Sequence, residues 1–129
     1  MSDYTKLNIK DDFENSAESY GLGDKLEARF GRKAMGLEQF GFSYQKLQPG
    51  FRQAFGHVHK EQEEAYIVLE GGGRVKIDDE IVDLRTWDVL RIPPGVVRGF
   101  EAGSEGQAYI AIGGNPTGDA EMLNDWWVD

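Results

Sequence analysis

The sequence predicts a single-domain, all-β barrel or sandwich with little helix. From residue 39 onward, seven or eight short apolar runs alternate with turn signals, the pattern of many short strands. No segment carries a long apolar stripe with the helical period. The 129 residues match one ordinary domain, large enough to bury a core without a disulfide or structural metal.

Residues 1–37 read as an N-terminal arm, its first 24 residues polar, acidic and extended. Within it "DKLE", Asp24–Glu27, has capping-box spacing and predicts one helical turn over 24–30. Arg29, Arg32 and Lys33 form a basic cluster, read as a solvated edge, with a substrate-facing rim as the alternative. The barrel is assigned to residues 38–113. In "QFGFSYQKL", Phe40, Phe42 and Tyr44 alternate with small or polar residues, the period of a strand. Pro49–Gly50 ends that strand as a turn. The segment closing in "GHVH" comes next, then a link over 60–62 and the strand "EAYIVLE", 64–70. Gly71–Gly73 predicts a hairpin bend, and Asp78–Asp79 a second hairpin between "RVKI" and "EIVDL". "DVLRI" runs into Pro93–Pro94–Gly95, which cannot continue a central strand. "VVRGFEA", the turn "GSEG" and the strand "QAYIAIG" complete the barrel. The tail, 114–129, is acidic and carries Trp126 and Trp127. Exposing both would be costly, so the tail is expected to pack on the barrel or on a dimer partner.

Composition narrows the function. Lys plus Arg is 14 against 23 for Asp plus Glu, a net charge of −9. Such a chain gains nothing from a phosphate backbone, so no nucleic-acid partner is expected. No apolar run approaches a membrane span, and the N-terminus lacks the apolar core of a signal peptide. No membrane partner is expected, and the expected location is cytoplasmic. The absence of cysteine excludes a disulfide scaffold, a thiolate metal site and a Cys nucleophile. "GGGR", 71–74, lacks the Lys-Ser/Thr ending of a phosphate loop, and there is no G-x-S-x-G elbow.

The chemistry concentrates in "GHVHKEQEEAYIVLEGGG", 56–73, which holds both histidines of the chain. Residues i and i+2 of a strand share a face, so His57 and His59 project side by side. Glu64 opens the next strand and can fold back beside them. Its parity matches Tyr66 and Val68, whereas Glu61 and Glu63 read as solvated turn residues. Two imidazoles and a carboxylate with positions left open suit a divalent transition metal such as Fe, Mn, Ni or Zn. A polar strand that simply carries both histidines is the plain alternative. Arg52, just before the histidines, and Tyr66 are further candidates for contact with a small-molecule ligand. Tyr44, Gln53, Trp87 and Arg91 are other candidate pocket residues, although both tyrosines also suit the barrel core.

These residues resemble the two signature motifs of the cupin superfamily. Gly50, His57, His59, Glu64 and Gly71 follow the spacing of the first motif, with one extra residue between Gly50 and His57. "WDVLRIPPGVVRGFEA", 87–102, resembles the second, with Pro93 and Gly95 in place. The resemblance covers about residues 38–113. It is to the small single-domain members, and it implies a jelly-roll β-barrel and a homodimer. Three positions depart from the pattern. Trp87 stands at the leading glycine, Ala102 at the trailing asparagine, and Arg98 where metal-binding cupins carry a fourth ligand, a histidine.

Arginine stays protonated and offers only donors, so it cannot ligate a metal. At ~4 Å and an effective dielectric of 20, two unit charges repel by about 4 kcal/mol, and a divalent ion feels roughly twice that. Three outcomes are open. His57, His59 and Glu64 hold a metal, with Arg98 turned to receive an anionic substrate group of an oxygenase or isomerase reaction. Alternatively, Arg98 pairs with Glu64 and the barrel binds or senses a small molecule without metal, as the resemblance allows. In the third outcome the pocket is closed and the protein is structural. The first is placed slightly ahead, because both histidines and the glutamate occur together.

Overall fold

The computed structural model describes residues 3–115 and 118–127. Its elements are α1 (Ile9–Asp12), a 3-10 turn (Ser16–Tyr20), β1 (Leu26–Phe30), α2 (Arg32–Met35), β2 (Phe40–Leu47), β3 (Gly56–His59), β4 (Glu64–Ile77), β5 (Glu80–Arg85), β6 (Val89–Ile92), β7 (Arg98–Gly114) and β8 (Ala120–Leu123). The protein is all-β, a single curled sheet of eight strands among the described residues. Among the described residues, no helix is long and apolar enough to cross a membrane.

Two long strands organise the sheet. β4 and β7 pair antiparallel along most of their length. β4 also pairs with β5 and β6, and β7 with β2 and β3. The predicted hairpin at Asp78–Asp79 joins β4 to β5, with Ile77 opposite Glu80. The predicted bend at Gly71–Gly73 is not a hairpin, and "GSEG" does not break β7. Each is an irregularity inside a continuous strand, with register shifts at Val68/Glu70 and Gly71/Gly73. The reason is backbone proximity. A Cβ on Gly71 (φ 66°) would lie 2.1 Å from the Gly106 carbonyl oxygen, and one on Gly73 (φ 139°) 2.1 Å from that of Glu101. The glycines let two strands cross closely as bulges, with the same residue types that turns use.

The helical turn expected over 24–30 is also absent. β1 occupies Leu26–Phe30 and pairs with β2 from Leu26↔Leu47 to Phe30↔Ser43. Partner strands override a local capping signal because a five-residue ladder satisfies more backbone groups than one isolated turn. The tail contributes a strand the sequence did not predict: β8 lies antiparallel to β3, from Gly56↔Leu123 to His59↔Ala120.

The core is formed by Leu47, Tyr66, Val68, Val75, Leu84, Ile92, Phe100, Ala102, Tyr109 and Ala111. Tyr66, Phe100 and Tyr109 form a ring cluster with centroids 4.6–5.5 Å apart. Outside the sheet, Trp126 covers Gly56 and Gly99, where a Cβ would come within 2.7–2.8 Å of its ring. Its indole N–H donates to the Lys76 carbonyl at 3.3 Å, and Lys76 Nζ donates back to the Trp126 carbonyl at 2.6 Å. Trp127 donates to the Gln53 carbonyl at 2.9 Å, with the Arg52 guanidinium 4.3 Å from its ring.

Candidate functional site

β3, β4 and β7 bring five polar side chains to one point: His57, His59, Glu64, Tyr66 and Arg98. His57 lies directly across from Arg98, because β3 pairs with the start of β7. Glu64 heads β4 and faces Gly113 of β7. Alternation along β4 then turns Glu64 and Tyr66 to the same side, while Glu63 pairs with Arg91 at an exposed position, 2.5 Å away. His57 Nε2 stands 3.6 Å and His59 Nε2 3.4 Å from Glu64 Oε1. The ligand atoms of His57, His59 and Glu64 lie within 4.8 Å of one another, so the group could hold a metal ion.

That same carboxylate oxygen is already engaged. The Tyr66 hydroxyl donates to it at 2.5 Å, and Arg98 Nη2 is in direct hydrogen-bonded contact with it. Arg98 is fully buried, at 0% exposure. Its remaining donors are also placed: Nε on the Tyr66 oxygen at 3.0 Å and Nη1 on the Val96 carbonyl at 2.8 Å. The guanidinium therefore spends its planar fork inside the protein.

The electrostatics follow. Burial alone would raise the Glu64 carboxyl. The neighbouring His57 imidazole and the hydrogen bond from Tyr66, with the charges of Arg98 and His59, overcome burial and bring it down to about 2. Burial drives the Tyr66 phenol well above its ordinary value and the Glu64 charge adds to this, so it remains a donor. Burial opposes the Arg98 charge, but Tyr66 and Glu64 more than offset it. Glu64 and Arg98 are thus a buried ion pair bridged by a phenol.

Asp119, just before β8, is a site residue that the sequence did not reveal. Its Oδ1 accepts from His59 Nδ1 at 2.8 Å, and its Oδ2 from the amides of Glu61 and Gln62, both at 2.9 Å. The bond from His59, then the amide of Glu61, holds its carboxyl well below the ordinary carboxylate range. Asp119 fixes the ring orientation of His59 and leaves Nε2 facing Glu64. The Gly95 amide donates to the His59 carbonyl at 2.8 Å, which ties the Pro93–Gly95 turn to the same strand. Sixty residues and no recognisable motif separate Asp119 from His59. Only the register of β8 on β3 joins them.

Arg52 sits elsewhere. It bridges to Glu101, with Nε 2.6 Å from Oε2, and Glu101 also holds Arg74. Glu101 is three residues from Arg98 on β7, so its side chain leaves by the opposite face. Trp87 is 72% exposed, with φ at 74°. It adopts the left-handed backbone for which the family pattern has glycine there.

The family model for the cupin domain matches residues 43–112, more than half of the chain. The chain is a cupin. None of the curated proteins matches it. Among solved structures, this cupin is similar to a cupin protein from Bacteroides fragilis, at 26% identity and TM-score 0.73, covering 92% of this chain and 89% of that one. It shares its fold with a sugar phosphate isomerase of the cupin superfamily from Silicibacter pomeroyi, at 18% identity and TM-score 0.70, covering 93% and 92%. It also shares its fold with oxalate decarboxylase from Bacillus subtilis, at 24% identity and TM-score 0.68, covering 79% of this cupin but 29% of that chain.

A cavity of about 160 Å³ opens beside the site. Phe30, Arg32, Gly41, Phe42, Ser43, Gln62, Glu64, Ala111 and Gly113 line it, so Glu64 is the member of the converging group that reaches it.

Proposed function

We propose that this cupin is a small-molecule-binding barrel that works without a bound metal, with Glu64 as a fixed hydrogen-bond acceptor at its cavity. The observation that carries this is the Arg98 contact with Glu64. Glu64 Oε1 accepts from Tyr66 and Arg98, so Oε2 is the oxygen left for a ligand. A divalent ion placed between the imidazoles would meet the buried Arg98 cation beside Glu64, and that charge works against metal binding while Arg98 holds Glu64. A carboxyl brought down to about 2 is also a weak base near neutral pH, so Glu64 suits binding and orientation better than proton abstraction.

A second reading rests on Asp119. By accepting from Nδ1 it leaves His59 Nε2 bare toward Glu64, the orientation of a metal-ligating histidine backed by a carboxylate. Metal binding of this kind needs Arg98 to release Glu64.

Metal analysis separates the two. Native protein incubated with iron, manganese, nickel and zinc, then desalted, is expected to retain far less than one ion per chain. Arg98→His, which restores a ligand and removes the cation, is expected to gain stoichiometric zinc or nickel. One tightly held ion per wild-type chain, lost in His57→Ala and His59→Ala, would overturn the metal-free reading.

A further inference from the structure

We infer that Arg32 is the anion-recognition residue of the cavity beside Glu64, and that the ligand is a small carboxylate carrying a hydroxyl group. The inference rests on the small-molecule reading above and names the class of molecule.

Arg32 differs from the other buried or half-buried arginines. Arg29 pairs with Glu27, Arg52 and Arg74 with Glu101, and Arg98 with Glu64. Arg32 donates through Nη2 to the Glu38 carbonyl at 2.7 Å and to the Asn115 side-chain oxygen at 2.8 Å. Both acceptors are uncharged. Its other terminal nitrogen, Nη1, is buried and meets no acceptor among the described residues. A buried guanidinium nitrogen without a partner is costly, and Arg32 lines the cavity. A carboxylate there would supply the missing counter-charge, and a turn of the guanidinium would bring the sealed Nη1 to it.

Two features hold the guanidinium in place. Asn115 and Glu38 grip its far side, and Gly41 lies under its stem, where a Cβ would stand 3.2 Å from Arg32 Cβ. The net charge of −9 opposes anions at long range, but salt screens that field beyond about 8 Å. Locally, Glu64 is matched by Arg98, which leaves the Arg32 charge in excess at the cavity.

The far wall sets the rest of the ligand. Glu64 only accepts hydrogen bonds, so the group that meets it must donate, and a hydroxyl does. Phe30, Phe42 and Ala111 supply apolar walls for a short carbon chain. At about 160 Å³ the cavity suits a small ligand rather than a drug-sized one.

Glycerate is a suitable probe, with glycerol as its uncharged counterpart. Calorimetric titration of the full chain is expected to show glycerate binding well and glycerol poorly. Arg32→Gln should weaken glycerate by about tenfold or more and leave glycerol unchanged. Arg32→Lys, which keeps the charge and guards against a folding defect, should lose less. Amide chemical-shift changes on adding glycerate to wild-type protein should cluster at residues 30–32, 41–43, 62–64 and 111–113. Equal binding of both probes, unmoved by Arg32→Gln, would overturn the inference and leave the small-molecule reading standing. Glycerate shifts that map outside the cavity, or no glycerate binding at all, would overturn it too. A wider screen of charged and neutral fragments that finds no occupant of the cavity would remove the parent reading as well.

Discussion

Glu64 Oε1 is the focus of the site, because two donors reach it and two imidazoles face it. Removing the cation should therefore be expensive. Arg98→Met leaves a buried carboxylate without its partner, and urea unfolding is expected to show a loss of about 3–5 kcal/mol. The double variant Arg98→Met/Glu64→Gln should recover part of this, since two neutral groups leave no unpaired charge. A single-variant cost under about 1 kcal/mol would mean the pair does not hold the barrel together. The same pair sets an acid response. The Glu64 carboxyl lies at about 2 in the folded protein against 4.5 for the free group. Its contribution is thus complete above about pH 4.5 and lost as pH falls toward about 2. On the scale of 1.36 kcal/mol per pH unit this is on the order of 3 kcal/mol. Melting followed from pH 6 to pH 2 should show a smaller acid loss in Glu64→Gln than in wild type.

At the scale of elements, the turn between β5 and β6 contains the least comfortable backbone position. Trp87 holds φ at 74° and is 72% exposed, so it suffers the left-handed strain with little burial in return. Trp87→Gly removes that strain but adds unfolded-state freedom. A net gain of about 0.5–1 kcal/mol is expected in urea unfolding. A loss of stability would show that the indole packs against something in solution. β8 illustrates the opposite case, a strand of exposed residues that stays in place through its pairing with β3 and the packing of Trp126.

At the scale of the whole molecule, the expected homodimer can be tested directly. Light scattering coupled to size exclusion should give twice the 14.5 kDa chain mass, and a monomer mass would overturn it. Most of the architecture was legible because strand alternation and the His57, His59, Glu64 spacing are local patterns. Pairing of Arg98 with Glu64 was legible as one of three outcomes, since motif spacing places residue 98 at the fourth position. Other features were not legible, for identifiable reasons. Gly71–Gly73 and "GSEG" look like turns because bulges and turns draw on the same residues, and only the partner strand tells them apart. Asp119 reaches His59 through a strand pairing that no short-range signal announces. The basic cluster at Arg29, Arg32 and Lys33 carried a hint of a rim. Nothing in it showed that Arg32 would be held by two uncharged acceptors, the Glu38 carbonyl and the Asn115 side chain.

The dependence of β3 on β8 bears on how the protein is made. His57 and His59 leave the ribosome well before Asp119 and Trp126. Until those later residues emerge, the histidine strand has a bare edge and His59 has no carboxylate to orient it. The barrel strands β2 to β7 can pair first, but the histidine pair is finished only once the segment from Asp119 to Trp126 has followed.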